Sequence, residues 1–150
     1  MRILISACLL GTCCRYDGGG NRQEWAEELG RRYELVPVCP EQLGGLATPR
    51  PPAERLGNRV VTNAGGDVTD AYEKGAAEAL ALARLLDCQA AVLKERSPSC
   101  GRGAIYDGTF SHTQVPGDGV TAQRLLEAGI PVYGESQVRQ TLLGPAEAEQ

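Results

Sequence analysis

The sequence has few aromatic residues, a single histidine and no excess of positive charge. Its 150 residues include one Trp, one Phe and five Tyr. So few rings disfavour a surface on which successive bases of a single-stranded nucleic acid stack. Acidic residues outnumber basic ones by 19 to 15, for a formal net charge of −4 at pH 7. We therefore expect neither a nucleic-acid polymer nor an anionic membrane as a partner.

Long apolar runs and targeting segments are also missing. No stretch approaches the roughly 18 consecutive apolar residues of a membrane-spanning helix. The N-terminal segment MRILISACLLG is short and is soon followed by Arg15 and Asp17, which does not fit a secretory signal peptide. The six cysteines of the chain make a smaller share than the roughly 8–10% of a disulfide scaffold. We therefore expect a cytoplasmic protein with reduced cysteines.

Familiar nucleotide and zinc motifs are absent as well. The chain has no G-x-G-x-x-G pattern and no Walker loop, so a dinucleotide or ATP site is not indicated. It has no C-x-x-C pair, and its one histidine, His112, is expected to be a solvated residue of a hairpin. A structural zinc site is therefore disfavoured, because such sites bring their ligands in close pairs.

The hydrophobic pattern predicts strands that alternate with helices. The predicted strands are 2–7, 34–38, 90–95 and 130–134, and the predicted helices are 22–32, 70–87, 118–128 and a short one near 136–143. Small hairpins are expected at 59–69, with a turn at 63–66, and around Asp107–Gly108. This alternation indicates an α/β fold, a Rossmann-like three-layer αβα arrangement whose parallel sheet has about four strands. We expect one domain over residues 1–150, with a frayed tail at 144–150.

Individual residues add detail to the predicted strands and helices. Pro37 predicts an edge position for the second strand, because proline cannot donate to the sheet. Asn21 with Glu24 resembles a capping box at the start of the first helix. Gly75 costs the 70–87 helix about 1 kcal/mol relative to alanine. The segment 40–58 holds too many prolines and glycines for regular structure.

Three cysteines follow the predicted strands. Cys8 comes just after the first strand, Cys39 just after the second, and Cys100 a few residues after the third. If the strand order is 2-1-3, the first strand lies between the other two. Adjacent strands are about 4.8 Å apart, so the three sulfurs can converge within roughly 10 Å at the carboxyl edge, where such sheets bind ligands. Cys88, at a helix end beside alanines, fits an inert core residue instead.

Three convergent thiolates without a clear fourth ligand suit an iron–sulfur cluster with one open iron. Such an iron acts as a Lewis acid toward a substrate. Cys13 or Cys14 as a fourth ligand would instead close the cluster and make the protein a non-catalytic iron–sulfur or sulfur carrier. A metal-free nucleotide-binding domain with incidental cysteines is a third alternative. The residues alone leave all three open.

Other polar groups follow the same strands. Glu41 lies two residues after Cys39, where a carboxyl group can do acid–base work, although a solvated loop residue is the alternative. Pro98 biases Ser97 toward an extended backbone that lets its hydroxyl face the site, with turn chemistry as the alternative. The GDG segment at 117–119 leads into a helix and is a weak candidate for an anion site.

Eight segments of the chain carry a resemblance to a known family. They are SACLLG (6–11), CRYDGG (14–19), PVCPEQLGGL (37–46), PRPPAER (49–55), GGDVTDAY (65–72), LKERSPSCG (93–101), IYDGTF (105–110) and GDGVTA (117–122). In order and spacing, over about residues 3–135, the chain resembles the bacterial domain-of-unknown-function family 523. Characterised members of that family include 2-thiouracil desulfidase.

The resemblance implies a four-iron four-sulfur cluster held by Cys8, Cys39 and Cys100. Its open fourth iron takes the sulfur of a thiolated substrate, the carbon is hydrolysed to a carbonyl, and the sulfur leaves as sulfide. The glutamate and the serine implicated in the family correspond by motif position to Glu41 and Ser97. The expected function is therefore an iron–sulfur-dependent desulfidase for a small thiolated nucleobase such as 2-thiouracil. The family also favours a cysteine at position 14 that is not a ligand, which argues against a closed cluster.

Overall fold

The computed structural model describes residues 1–144, so residues 145–150 of the predicted tail lie outside the described residues. In chain order the elements are β1 (Arg2–Ser6), α1 (Ala26–Arg32), β2 (Glu34–Val38), α2 (Pro40–Leu43), β3 (Ala53–Leu56), β4 (Arg59–Thr62), α3 (Thr69–Leu85), β5 (Ala90–Leu93), β6 (Ala104–Tyr106), β7 (Gln114–Pro116), α4 (Val120–Glu127) and β8 (Val132–Gly134). A 3-10 turn follows β1 at Ala7–Leu10 and another follows β8 at Glu135–Gln137, and a π-helical segment spans Arg139–Leu143.

Four parallel strands form the central sheet, in the order β2-β1-β5-β8. The inner strands β1 and β5 are apolar runs whose residues from Ile3 onward and throughout β5 are buried, as expected for strands covered on both faces. In the register, Ile3 lies beside Leu35 of β2 and Ala90 of β5. The predicted order of the first three strands is confirmed, and β2, which contains Pro37, is an edge strand as predicted.

Helical segments cover both faces of the sheet. Ile3, Ile5 and Val92 face one core. It also contains Leu29 of α1, Leu143 of the π-helical segment, and Trp25 and Val138, the residues just before these two elements. Leu4, Ala91 and Leu93 alternate to the other face, where they pack with Ala79, Ala83 and Leu125 of α3 and α4. The predicted α/β fold in three layers is therefore confirmed.

The first hairpin is shifted from its predicted position. β3 pairs antiparallel with β4 in the register Glu54↔Val61, so the connecting turn is Gly57–Asn58. Gly57 has a φ of +61°, the left-handed conformation that such a turn requires. The predicted turn at 63–66 exists as well, closed by a bridge between Val61 and Asp67. Around Asp107–Gly108 the expected hairpin is present as β6 and β7, joined by the longer loop 107–113.

Two further expectations are wrong. The segment 40–58 contains regular structure, namely α2 and β3, despite its prolines and glycines. The first helix begins at Ala26 rather than 22, and Asn21 does not cap it. Backbone bonds tie the preceding segment to the 3-10 turn instead, with the Asn21 N–H donating to the Cys8 carbonyl at 2.8 Å. The Glu24 carboxylate accepts from the guanidinium of Arg139.

Two glycines allow α2 to lie directly against α3. A Cβ atom at Gly75 would stand 1.9 Å from the Pro40 carbonyl oxygen, and one at Gly44 would stand 1.9 Å from the Ala71 carbonyl oxygen. Real Cβ atoms essentially never approach other atoms within 3.0 Å. By helix propensity alone Gly75 is unfavourable in α3. The contact between α2 and α3 nevertheless requires glycine at this position.

Within residues 1–144, none of the helices has the length and apolar character needed to cross a lipid bilayer.

Candidate active site

A cleft of about 680 Å³ opens at the carboxyl edge of the sheet. The segments that follow β1, β2 and β5 form its floor, and the two hairpins contribute to its walls. In open α/β sheets this edge is where ligands bind. The volume lies within the range of about 300–1,000 Å³ typical of small-molecule sites.

The structure brings the three candidate cysteines into this one cleft. Cys8 lies in the 3-10 turn directly after β1, Cys39 is the residue between β2 and α2, and Cys100 lies in the loop after β5. The strand order accounts for this meeting, because β1 is flanked by β2 and β5. Their role as ligands stays a prediction.

Burial favours the protonated form of two of these thiols, those of Cys8 and Cys100. It raises the pKa of Cys8 to about 11, although the nearby ammonium of Lys94 opposes the shift. Burial likewise raises the pKa of Cys100 to about 12. Both thiols are thus neutral at pH 7. A thiol binds metal only as the thiolate, and a bound cation supplies the charge that removes the proton.

A fourth thiol, that of Cys14, lines the same cleft and is buried. Burial and the neighbouring Cys39 raise its pKa to about 12. The Cys39 thiol donates to the Cys14 carbonyl oxygen at 3.6 Å. Cys14 therefore lies beside the predicted ligand set.

The thiols of the cleft are the donor type that iron–sulfur clusters bind. Within residues 1–144, no group of three Cys, His, Asp or Glu side chains is close enough to hold one metal ion. A four-iron cluster spreads its ligands over separate irons, so its thiolates need not meet at one point. All-sulfur donors also favour iron–sulfur clusters over the hard cations.

The remaining cysteines lie elsewhere. Cys13 is exposed, and its sulfur lies 4.0 Å from the Gly11 carbonyl oxygen. Cys88 is buried in the core formed with α3 and α4, as expected of an inert residue. Neither belongs to the side chains that line the cleft.

Glu41 lines the cleft from the first turn of α2. Its Oε1 accepts a hydrogen bond from the Tyr72 hydroxyl. Its Oε2 lies 3.3 Å from Nη2 of Arg50, whose side chain is 5% exposed. The carboxylate is thus a paired and oriented group rather than a solvated loop residue.

Ser97 also lines the cleft, and it shapes the loop that carries Cys100. Its Oγ accepts from the backbone N–H groups of Ser99 and Cys100, each at 3.1 Å. The structure therefore shows the turn chemistry of this serine. Its role toward a substrate stays a prediction, for which the hydroxyl proton is available because an oxygen that accepts twice still has its proton to donate.

The GDG segment is explained by packing. A Cβ atom at Gly119 would stand 2.3 Å from the Ser99 carbonyl carbon, so glycine is needed where α4 begins. Asp118 Oδ1 accepts from the Gly103 N–H at 2.8 Å. The side chains of 117–119 do not line the cleft, and the weak anion-site candidate gains no support.

Comparison with known proteins identifies the family. A family model described as 2-thiouracil desulfurase matches residues 3–137. The chain belongs to this family. It is 44% identical over 150 residues to Uncharacterized protein YbbK of Bacillus subtilis (strain 168), an alignment that covers 93% of this chain and 99% of that protein. The resemblance to domain-of-unknown-function family 523 is thereby confirmed.

A solved structure agrees with the 2-thiouracil desulfurase assignment. It is that of the [4Fe-4S]-dependent thiouracil desulfidase TudS (DUF523Vcz), which is 45% identical to this chain. The match has a TM-score of 0.89 and covers 95% of each chain. The three-layer fold described above is thus shared with a cluster-dependent thiouracil desulfidase.

Several cleft residues of this desulfurase-family chain were missed by sequence reasoning. Lys94 lines the floor beside Cys8 and pairs with Glu135, its Nζ lying 3.2 Å from Oε2. Lys94 comes directly after β5, in the LKERSPSCG segment. This position at a strand end is the sequence feature that could have predicted it as a cleft residue. The partners of Glu41, which are Arg50 and Tyr72, lie in the PRPPAER and GGDVTDAY segments, but nothing in the local pattern indicates that they pair with Glu41.

The β6–β7 hairpin adds an aromatic wall, formed by Tyr106 at the end of β6 and Phe110 in the loop. The carboxylate of Glu54 in β3 is buried and accepts from the N–H groups of Gly108 at 3.0 Å and Phe110 at 3.1 Å. Phe110 and Tyr106 line the cleft, and the exposed His112 contacts Tyr106 edge-to-face with ring centroids 6.0 Å apart. Glu54 thus fixes the loop that presents these rings.

Proposed function

We propose that this chain is an iron–sulfur-dependent desulfidase that removes sulfur from a small thiolated nucleobase such as 2-thiouracil. The observation that carries the proposal is the convergence of Cys8, Cys39 and Cys100 with Glu41 in one cleft. Family membership and the likeness to a [4Fe-4S]-dependent thiouracil desulfidase support the same activity.

The proposed ligands are Cys8, Cys39 and Cys100, one from each of three strand exits. When bound, a four-iron four-sulfur cluster with three protein ligands supplies an open, thiophilic iron that polarises a C=S group. The thiols of Cys8 and Cys100 are buried and neutral, and they release their protons on binding. Lys94 offsets part of the negative charge of the thiolates.

Hydrolysis needs one water and no electrons. The thiocarbonyl compound and water give the carbonyl compound and hydrogen sulfide. Glu41 accepts a proton from the attacking water, since its side chain lines the cleft and is held in place by Arg50 and Tyr72. The Ser97 hydroxyl, whose oxygen already accepts two hydrogen bonds, donates its proton in a hydrogen bond to the charge that develops on the substrate.

The aromatic wall suits a planar heterocycle. Phe110 and Tyr106 offer apolar faces from the hairpin side of the cleft, whereas the strand exits supply the thiols. A flat ring packs favourably against such faces in stacked or edge-on geometry. Because Glu54 holds the loop by two backbone N–H groups, the wall is formed before substrate arrives.

The test is anaerobic cluster reconstitution followed by a sulfide assay. Cys100→Ser is compared with Cys88→Ser, a matched control because Cys88 is also buried but lies outside the cleft. We expect about four irons per chain in the wild type and in Cys88→Ser, and a lost or greatly reduced content in Cys100→Ser. The loaded wild type should convert 2-thiouracil to uracil and sulfide. No iron uptake by the wild type, or undiminished uptake by Cys100→Ser, would contradict the proposal.

The position of Cys14 favours a second candidate, a closed cluster that carries electrons or sulfur. Its buried thiol lies in the cleft beside Cys39 and is available as a fourth ligand. Loss of iron from Cys14→Ser, together with reversible one-electron reduction of the wild type, would support this candidate. Retention of the cluster in Cys14→Ser supports the desulfidase.

A further inference from the structure

Two side chains, one from the loop after α2 and one from α3, hold Glu41. Tyr72, in the first turn of α3 and 2% exposed, donates its hydroxyl hydrogen bond to Oε1. Arg50, from the loop before β3, places Nη2 3.3 Å from Oε2 and Nε 3.4 Å from Oε1. Both oxygens of the carboxylate are therefore contacted from within the protein, while Glu41 lines the cleft.

Arg50 is itself fixed by further bonds. Its Nη2 donates to the Cys14 carbonyl oxygen at 2.9 Å, and its Nη1 donates to Thr48 Oγ1 at 2.9 Å and to the Ala47 carbonyl oxygen at 3.2 Å. A guanidinium presents five donors in a rigid fork, whereas an ammonium is a point charge. Arg50 therefore links Glu41 to the segment that carries Cys14.

The Tyr72 hydroxyl reaches Glu41 because α2 lies close against α3 at Gly44 and Gly75. Burial raises the pKa of Tyr72 far above its ordinary value, and the adjacent Glu41 raises it further. The hydroxyl therefore stays protonated and keeps the proton that it donates to Glu41. Neither Tyr72 nor Arg50 is among the described side chains that line the cleft.

We propose that Arg50 and Tyr72 are positioning residues, which hold the Glu41 carboxylate in one orientation toward the cleft without touching the substrate. This inference rests on the proposed desulfidase function, in which Glu41 accepts a proton. Correct orientation of such a group contributes to the transition state more than to substrate binding.

Tyr72→Phe tests the inference, because it removes one hydroxyl and keeps the ring. Tyr33→Phe is the matched control, since the Tyr33 hydroxyl donates to the Leu142 carbonyl at 2.8 Å, outside the cleft. In the cluster-loaded enzyme with 2-thiouracil, we expect kcat of Tyr72→Phe to fall at least about tenfold with KM within about twofold. Iron content should stay at the wild-type level, and Tyr33→Phe should keep the wild-type kcat.

Arg50→Lys keeps the positive charge but replaces the guanidinium, with its several donors, by one ammonium group. One ammonium cannot make the contacts of Arg50 with Glu41, Cys14 and Thr48 together. We expect a fall in kcat of similar size, again without loss of iron. A wild-type kcat in Arg50→Lys would remove Arg50 from the positioning role.

A double variant separates positioning from a general structural role. If Tyr72 acts through Glu41, adding Tyr72→Phe to Glu41→Ala leaves the residual rate unchanged within about twofold, whereas independent roles multiply the two losses. Thermal unfolding of the same loaded proteins gives a readout that needs no turnover. Tyr72→Phe should lower the midpoint in the wild-type background and not in the Glu41→Ala background.

The outcomes distinguish the two levels of inference. A wild-type kcat in Tyr72→Phe, or equal midpoint losses in both backgrounds, would overturn the positioning role. No sulfide release by the loaded wild type would overturn the proposed function instead, and the unfolding measurements would still report whether Tyr72 is coupled to Glu41.

Discussion

Replacing Gly75 by alanine sets two opposing effects against each other. Helix propensity alone favours alanine over glycine in α3 by about 1 kcal/mol. The contact with α2 opposes it, because the new Cβ atom would stand 1.9 Å from the Pro40 carbonyl oxygen. A backbone atom cannot rotate away as a flexible side chain can, so α2 must shift. Overpacking of this kind costs about 1–3 kcal/mol, and this close approach belongs at the upper end.

The net expectation for Gly75→Ala is a destabilisation of about 2 kcal/mol, which is the upper overpacking cost less the propensity gain. For a chain of this size this lowers the thermal midpoint by about 4–8 °C. Gly30→Ala is the matched control, because a Cβ atom at Gly30 in α1 meets only Leu35 Cδ1 at 3.7 Å, an ordinary contact. It should stabilise the protein by roughly 0.5–1 kcal/mol.

Urea unfolding of both variants beside the wild type measures the two differences. Because α2 carries Glu41, Gly75→Ala should also lower kcat of the loaded enzyme, whereas Gly30→Ala should not. If Gly75→Ala is as stable as the wild type or more so, the close approach of α2 to α3 is refuted, and with it the explanation of how Tyr72 reaches Glu41.

Three further predictions concern the aromatic wall, the Cys100 loop and the core. Phe110→Ala should raise KM for 2-thiouracil about tenfold with kcat little changed, since stacking on a ring contributes about 1–3 kcal/mol; an unchanged KM would contradict the wall. Gly119→Ala should displace the loop at Ser99, because the new Cβ atom would stand 2.3 Å from its carbonyl carbon. Its iron content should fall, and full iron uptake would contradict this. Burial raises the pKa of the Cys88 thiol, so its stabilising contribution is present below the unfolded pKa of about 8.5 and is lost as pH rises through the folded value. Urea titrations at increasing pH should show a steeper alkaline loss for the wild type than for Cys88→Ala, and equal slopes would contradict it.

The sheet and the meeting of the cysteines could be predicted from the sequence because both depend on local signals. Buried parallel strands are apolar runs, and the residues that follow them reach one edge whatever the details of packing. Cys8, Cys39 and Cys100 each follow such a run, so strand order alone was enough to bring them together. Pro37 placed the edge strand for the equally local reason that it lacks an N–H.

The partners of Glu41 could not be predicted in the same way. Tyr72 is a member of the apolar stripe of α3, and its hydroxyl gains a role only because Gly44 and Gly75 let two helices touch. Arg50 lies in a proline-rich segment whose conformation is set by bonds to residues far along the chain. The position of the first hairpin was mispredicted because two adjacent turns, at 57–58 and 63–66, are both present in this part of the chain. The sequence pattern did not indicate which of them joins the paired strands.

The strand order also bears on how the protein is made. Among the four strands of the central sheet β1 is synthesised first, yet its partner on one side, β5, begins only at Ala90. At synthesis rates of about 5–20 residues per second, the interval between Cys8 and Cys100 lasts on the order of ten seconds. During that interval β1 lacks one of its neighbouring strands, and the growing chain lacks at least one of the three proposed ligand thiols. We therefore expect cluster loading to occur after the nascent chain has delivered Cys100, as a late event of biogenesis rather than a step that nucleates folding.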